Sequence, residues 1–323
     1  MADPAAQILL ADIGATNARF ALLRRGGRTG PVRTLAVAGY PQFTDAVATF
    51  LRNERAAVAG AVLAVAGPVE NERAVMTNCP WVIDAAEVRQ ALGVSAVRVI
   101  NDFEATAWSL AALEPGHVAA VGHGRAVVGA PMVVLGPGTG LGLASHVPRA
   151  DAPVVIATEG GHVTLAPSTA REDAVVAWLR GRFGHVSAER ALSGPGLENL
   201  YRAIAAVDGA PVAERDATAI TAAGVDGSCA VSRAALDMFC ALLGTFAGNA
   251  ALSFGARGGV FIAGGIAPRI IDYLLKSELR ARFDAKGRLR AYMEAIPLNV
   301  IVHPDYAFIG LKALVERSDS SRI

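Results

Sequence analysis

The feature that most constrains this chain is a pattern written twice. An apolar run, Ile8-Leu9-Leu10-Ala11, gives way to Asp12-Ile13-Gly14-Ala15-Thr16-Asn17 and returns as Ala18-Arg19-Phe20-Ala21-Leu22-Leu23. Downstream, Met132-Val133-Val134-Leu135 passes through Gly136-Pro137-Gly138-Thr139-Gly140 into Leu141-Gly142-Leu143-Ala144. Both read as strand, tight polar turn and returning strand, so the second half of the chain opens as the first did. Glycine and small residues let backbone N–H groups approach an anion, and Thr16, Asn17 and Thr139 add short polar side chains. Two such turns suit the two ends of a polyphosphate. The first also reads as an ordinary hairpin whose Asp and Asn satisfy their own turn. Neither is a Walker A loop, because no Gly-Lys-Ser/Thr follows, and neither is a dinucleotide fingerprint, because no helix opens behind the glycines.

A chain of 323 residues exceeds the size at which one core stops growing, so two domains are expected. The hydrophobic fraction of 53% describes a densely packed α/β protein, and a formal charge of +1 offers no footprint for nucleic acid or an anionic membrane. The three cysteines, Cys79, Cys229 and Cys240, make no CxxC or zinc spacing, and an odd number argues against a disulfide framework. Residues 1–7 lack a positive leader and no uninterrupted apolar run reaches the ~18 residues of a bilayer span, so a cytoplasmic protein without a membrane partner is expected.

Within the first half, residues 41–55 carry apolar residues at Phe43, Val47, Phe50 and Leu51, the spacing of an amphipathic helix. Residues 61–66 form a continuous apolar strand ended by Gly67-Pro68, as in the centre of a sheet. Asp84 caps a short helix with Gly93 just past its end. The stretch Thr77-Asn78-Cys79-Pro80-Trp81 reads as a loop under a half-buried Trp. Then Val99-Ile100-Asn101-Asp102-Phe103 runs an apolar strand out into a polar pair and a helix over 103–113. Ligands of open α/β sheets bind outside the carboxyl ends of strands, which places Asp102 to accept a proton from a substrate hydroxyl. Asp102 also reads as a helix N-cap.

Three further stretches carry polar chemistry. Thr158-Glu159-Gly160-Gly161-His162 pairs an acid and an imidazole through two glycines, which suits a polyhydroxyl ligand, though such residues also occupy plain surface turns. Glu189 lies beside a helix boundary, where an acid is also favoured by the macrodipole. Residues 259–263 form a buried strand that runs into Gly264-Gly265 and a helix over 270–279; glycines at a strand end let a nucleoside lie against backbone. Residues 114–129 are weakly patterned and read as a crossing between domains.

Taken in order, residues 12–19, 100–103, 136–142, 159–162, 185–189, 192–197 and 261–268 resemble bacterial glucokinase over nearly the whole chain. The resemblance implies an α/β fold of two ribonuclease-H-like, actin-like ATPase domains with ATP in an interdomain cleft, divided as 1–112 with 303–323 and 113–302. It implies ATP-dependent phosphorylation of D-glucose to glucose 6-phosphate, with Asp102 as general base and Asn101, Glu159, His162 and Glu189 on the other hydroxyls. Asp12 would position Mg2+ through water. The turn of Gly14, Ala15, Thr16 and Asn17 and that of Gly136, Gly138, Thr139 and Gly140 would take the phosphates, and Gly264 and Gly265 would lie near the nucleoside. Pro137 departs from the small residue commoner in that turn. No Cys-rich motif follows His162, so no structural zinc is expected, and the resemblance suggests a homodimer. The final helix, 307–316, would pack on the first domain.

A sugar-sensing regulator with the same fold is the other class to weigh. A DNA-binding version needs a helix-turn-helix, and seven residues precede the first strand, so nucleic acid is not an expected partner.

Overall fold

The computed structural model describes residues 7–24, 27–76 and 79–317. Arg25 and Gly26, and Thr77 and Asn78 of the loop before Trp81, lie outside the described residues, as does most of the 1–7 segment. The chain divides into two compact units, one of residues up to Glu114 together with those from His303 onward, the other Pro115–Val302.

In the first unit the chain runs β1 (Gln7–Ile13), β2 (Asn17–Arg24), β3 (Arg33–Ala36), α1 (Phe43–Glu54), β4 (Val58–Val65), three short strands β5 (Val69–Glu70), β6 (Arg73–Val75) and β7 (Val82–Asp84), α2 (Ala85–Leu92), β8 (Ala96–Asn101) and α3 (Asp102–Ser109), closing with the helix Tyr306–Arg317. The main sheet has the order β3-β2-β1-β4-β8. Its first three strands are antiparallel, while β4 and β8 join β1 in parallel. The residues account for this. Both faces of β4 are covered, so it is apolar from Gly60 to Val65 without alternation. Helix α1 buries Phe43, Ala46, Val47 and Phe50, and the rings of Phe20 and Phe50 stack at 5.3 Å. Asp84 caps α2 by accepting the amide of Ala86, and Gly93 ends it at φ +65°. Trp81, expected to be half-buried, is 2% exposed and donates its indole N–H to the Tyr40 carbonyl. The closing helix crosses α3 so tightly that a methyl on Gly310 would lie 1.7 Å from the Ala105 carbonyl oxygen, a contact only glycine allows.

The second unit contains β9 (Val118–Ala120), β10 (Met132–Pro137), β11 (Leu141–Val147), β12 (Val154–Thr158), α4 (Ala170–Phe183), α5 (Gly194–Val207), α6 (Ala217–Asp226), α7 (Ala230–Phe254), β13 (Gly259–Ile262), α8 (Ile271–Leu274), α9 (Leu279–Asp284), α10 (Arg290–Glu294) and β14 (Leu298–Ile301). Its sheet runs β12-β11-β10-β13-β14-β9. The first five positions repeat the order and directions of the first unit: an antiparallel meander of three, then two parallel strands. The duplicated hairpin is thus the start of a duplicated sheet. Two expectations change. Residues 114–129 contribute the edge strand β9, antiparallel to β14, and 270–279 is broken into a short turn, α8 and a loop. Helix α7 is long and apolar enough to cross a membrane, yet 83% of its most apolar stretch is buried inside the structure, as in a core helix.

Candidate active site

In the first unit, register gathers the expected residues. Ile13 pairs Val65, and Val65 pairs Asn101, so β1, β4 and β8 end together. Asp12, the turn after β1, and the Asn101-Asp102 pair therefore share one sheet edge, the carboxyl edge where open α/β sheets bind ligands. The structure separates the roles of Asn101 and Asp102. Asn101, not Asp102, is the N-cap of α3: its Oδ1 accepts the amides of Phe103 at 2.8 Å and Glu104 at 3.3 Å. Its Nδ2 donates to the Gly67 carbonyl at 2.9 Å, which leaves one amide hydrogen for a ligand. Asp102 is the first residue of α3, which ends at Ser109 rather than near 113. Its carboxylate accepts the Phe103 amide at 2.9 Å.

Asp12 belongs to β1 and Asn17 to β2, so the turn is shorter than expected. The Gly14 amide closes it on the Asn17 carbonyl at 3.0 Å, while Thr16 and Asn17 are exposed. Asp12 faces Arg19 across the hairpin at 3.4 Å, and Arg19 also binds Asp305. Burial pushes the Asp12 carboxyl up, against the pull of Arg19.

In the second unit, the Gly138 amide closes the turn on the Gly140 carbonyl at 2.8 Å, and Thr139 is exposed at its tip, repeating the arrangement of Gly14 and Thr16. The Gly194 amide at the start of α5 holds the Gly138 carbonyl at 2.8 Å. Glu189 lies against this turn: its Oε2 accepts the Leu141 amide at 2.8 Å and would be 2.6 Å from a methyl on Gly140. Glu159 and His162 flank a short helical turn, Gly160–His162, with side chains 67% and 59% exposed and 3.9 Å apart. Gly161 must be glycine, since a methyl would lie 2.0 Å from the Leu141 carbonyl oxygen. The Ala188 amide donates to Val163 at 2.8 Å, which ties the Glu189 segment to that of Glu159 and His162.

Gly264 and Gly265 follow β13 beside β10. Gly264 has φ +83°, and a methyl there would meet the Pro137 carbonyl oxygen at 2.4 Å, so the fold itself demands glycine and Pro137 is accommodated as the strand's last residue. Gly265 and Gly138 differ: a methyl on either meets nothing within 4 Å, and neither has positive φ. Open space of that kind at the carboxyl end of parallel strands fits a nucleotide lying against backbone. Among the described residues no group of three or more His, Cys, Asp or Glu gathers as a metal site. Magnesium in phosphate chemistry needs only one or two carboxylates with substrate phosphates and water, and Asp12 is one carboxylate at this sheet edge. Arg19 and Asp305 were not read from sequence as site residues. Arg19 was discoverable, because closing the hairpin sets it opposite Asp12; Asp305, 286 positions away from Arg19, gave no local signal.

A meander followed by two parallel strands, present twice with polar residues at the carboxyl edges, defines the two-domain actin-like ATPase fold of sugar kinases. A family model described as Glucokinase matches residues 9–318. A glucokinase of Paramagnetospirillum magneticum is 47% identical over 311 residues, 95% of this chain and 97% of that one. The crystal structure of a glucokinase from an Antarctic psychrotroph matches with a TM-score of 0.88 at 36% identity, covering 97% of this chain and 99% of the other. A ROK family glucokinase from Streptomyces griseus, solved in complex with glucose and AMPPNP, shares the fold at 18% identity with a TM-score of 0.63, covering 96% of this chain and 99% of the other. The chain belongs to the glucokinase family.

Proposed function

We propose that the protein transfers the γ-phosphoryl group of ATP to the 6-hydroxyl of D-glucose. The observation that carries this reading is its 47% identity, over almost the full length of both chains, to a glucokinase. The residue roles rest on placement. Asp102, at the carboxyl edge of β4 and β8, takes the hydroxyl proton as the phosphoryl group moves in line. A positioned carboxylate of this kind contributes about 10²- to 10⁴-fold. Phosphoryl transfer has a largely dissociative transition state, so the protein mainly aligns the hydroxyl and neutralises charge. Glu159, His162 and Glu189 accept or give hydrogens to the remaining hydroxyls, and Asn101 offers its one uncommitted hydrogen.

With the Gly14 and Gly138 amides turned inward, phosphate oxygens are left to the amides of Ala15, Thr16, Thr139 and Gly140 and to the two threonine hydroxyls. Gly264 and Gly265 lie along the nucleoside. Magnesium bound with the nucleotide would neutralise phosphate charge, with Asp12 positioning it through water. The three cysteines are free thiols, which supports a reducing, cytoplasmic setting.

The test is glucose-dependent ADP formation by the purified protein with magnesium. Turnover is expected; tight glucose binding without ADP formation would instead identify a sugar sensor.

A further inference from the structure

Asp305 reaches Asp12 through Arg19, and its role rests on the reading that Asp12 faces the magnesium-nucleotide. Asp12 and Arg19 are register partners across β1 and β2, so their side chains lie on one face. An arginine so placed commonly closes on a carboxylate as a two-pronged fork. Here it does not. Arg19 gives Asp12 only Nη1, at 3.4 Å, and shares that nitrogen with the Pro304 carbonyl at 3.3 Å. Its Nη2 goes to Asp305, and the Phe308 ring lies 5.3 Å from the guanidinium carbon. One guanidinium is therefore divided between two carboxylates, and the group of three carries a net charge of about −1.

We propose that Asp305 is a positioning residue of the nucleotide site: by holding Arg19 it prevents that guanidinium from closing as a fork on Asp12, and so leaves the Asp12 carboxylate oxygens open toward a metal-bound phosphate. A structural alternative is that Asp305 only starts the closing helix, since its carbonyl accepts the Phe308 and Ile309 amides and its own amide donates to His303 Nδ1. Asparagine is as good at a helix start as aspartate but carries no charge, so one substitution separates the two roles.

The experiment measures ADP affinity by calorimetry with and without magnesium, so no turnover is involved. Wild type should bind ADP more tightly when magnesium is present. Asp305→Asn should lose about fivefold of that gain, the scale of a part-exposed ion pair, while its melting temperature and glucose affinity stay near wild type. Asp305→Glu should keep the gain. Adding Arg19→Met to Asp305→Asn should restore it, because the competing cation is gone. An Asp305→Asn protein with the full gain, or a double variant without recovery, overturns the proposal. Asp12→Asn is the control: if it too keeps the full gain, the reading of Asp12 itself fails, and the inference with it.

Discussion

Gly264 and Gly265 are adjacent, yet alanine should do opposite things at the two positions. At Gly264 an added methyl would sit 2.4 Å from the Pro137 carbonyl oxygen in a backbone with φ +83°. The left-handed conformation alone costs an alanine about 1–2 kcal/mol, and the clash with backbone adds about 1–3 kcal/mol. At roughly 2–4 °C per kcal/mol for a unit of this size, Gly264→Ala should lower the melting temperature by about 4–20 °C. At Gly265 the methyl meets nothing and φ is not positive. Gly265→Ala should therefore be neutral, or more stable by about 0.4–1 kcal/mol through the unfolded chain. If that space belongs to the nucleotide, filling it costs about 1–3 kcal/mol of binding, a rise of about 5- to 150-fold in KM for ATP, with KM for glucose unchanged. Thermal melts and initial rates against ATP read both effects. A Gly265→Ala enzyme with wild-type KM for ATP, or a Gly264→Ala protein with wild-type stability, would refute the steric reasoning.

Other substitutions probe the remaining roles. Asn101→Ala removes the α3 cap and the tie to Gly67, and should cost about 1–2 kcal/mol in a denaturant titration. Glu159→Gln should reduce kcat/KM for glucose, and wild type should discriminate against galactose and fructose, because a missing or inverted hydroxyl forfeits a charge-assisted hydrogen bond to a carboxylate; competition assays decide this. The folded Asp12 carboxyl titrates above its ordinary value of 3.8, so its stabilising contribution is full below that value and is lost as pH rises through the raised one. Asp12→Asn, neutral throughout, should then melt at or above wild type at neutral pH, with the difference closing toward pH 3.8, while its activity falls. Lower melting at neutral pH would contradict this.

What sequence made legible follows physical rules. The two hairpins showed because glycine and threonine between apolar runs are local signals, and the duplicated sheet followed from them. Asn101 and Asp102 could not be told apart, since both residue types cap helices and only the backbone decides which of them stands outside α3 as its N-cap. Strand β9 is three residues of Val-Ala-Ala, too short to alternate. Helix α7 is buried on most sides, so no polar stripe marks its period. The convergence of Ile13, Val65 and Asn101 depends on register between strands tens of residues apart, and the Arg19–Asp305 pair on where the closing helix returns. Neither is written locally.

The most direct test of the central claim is the turnover number of Asp102→Asn. Because Asn101 caps α3, this substitution should leave the melting temperature nearly unchanged, and asparagine keeps the shape and much of the sugar's hydrogen bonding. It cannot take a proton. The account predicts a folded protein that binds glucose with near wild-type affinity by calorimetry and whose kcat falls by about 10²-fold or more. A variant that keeps more than about a tenth of wild-type kcat would contradict the account, since loss of a general base costs about 10²-fold at least.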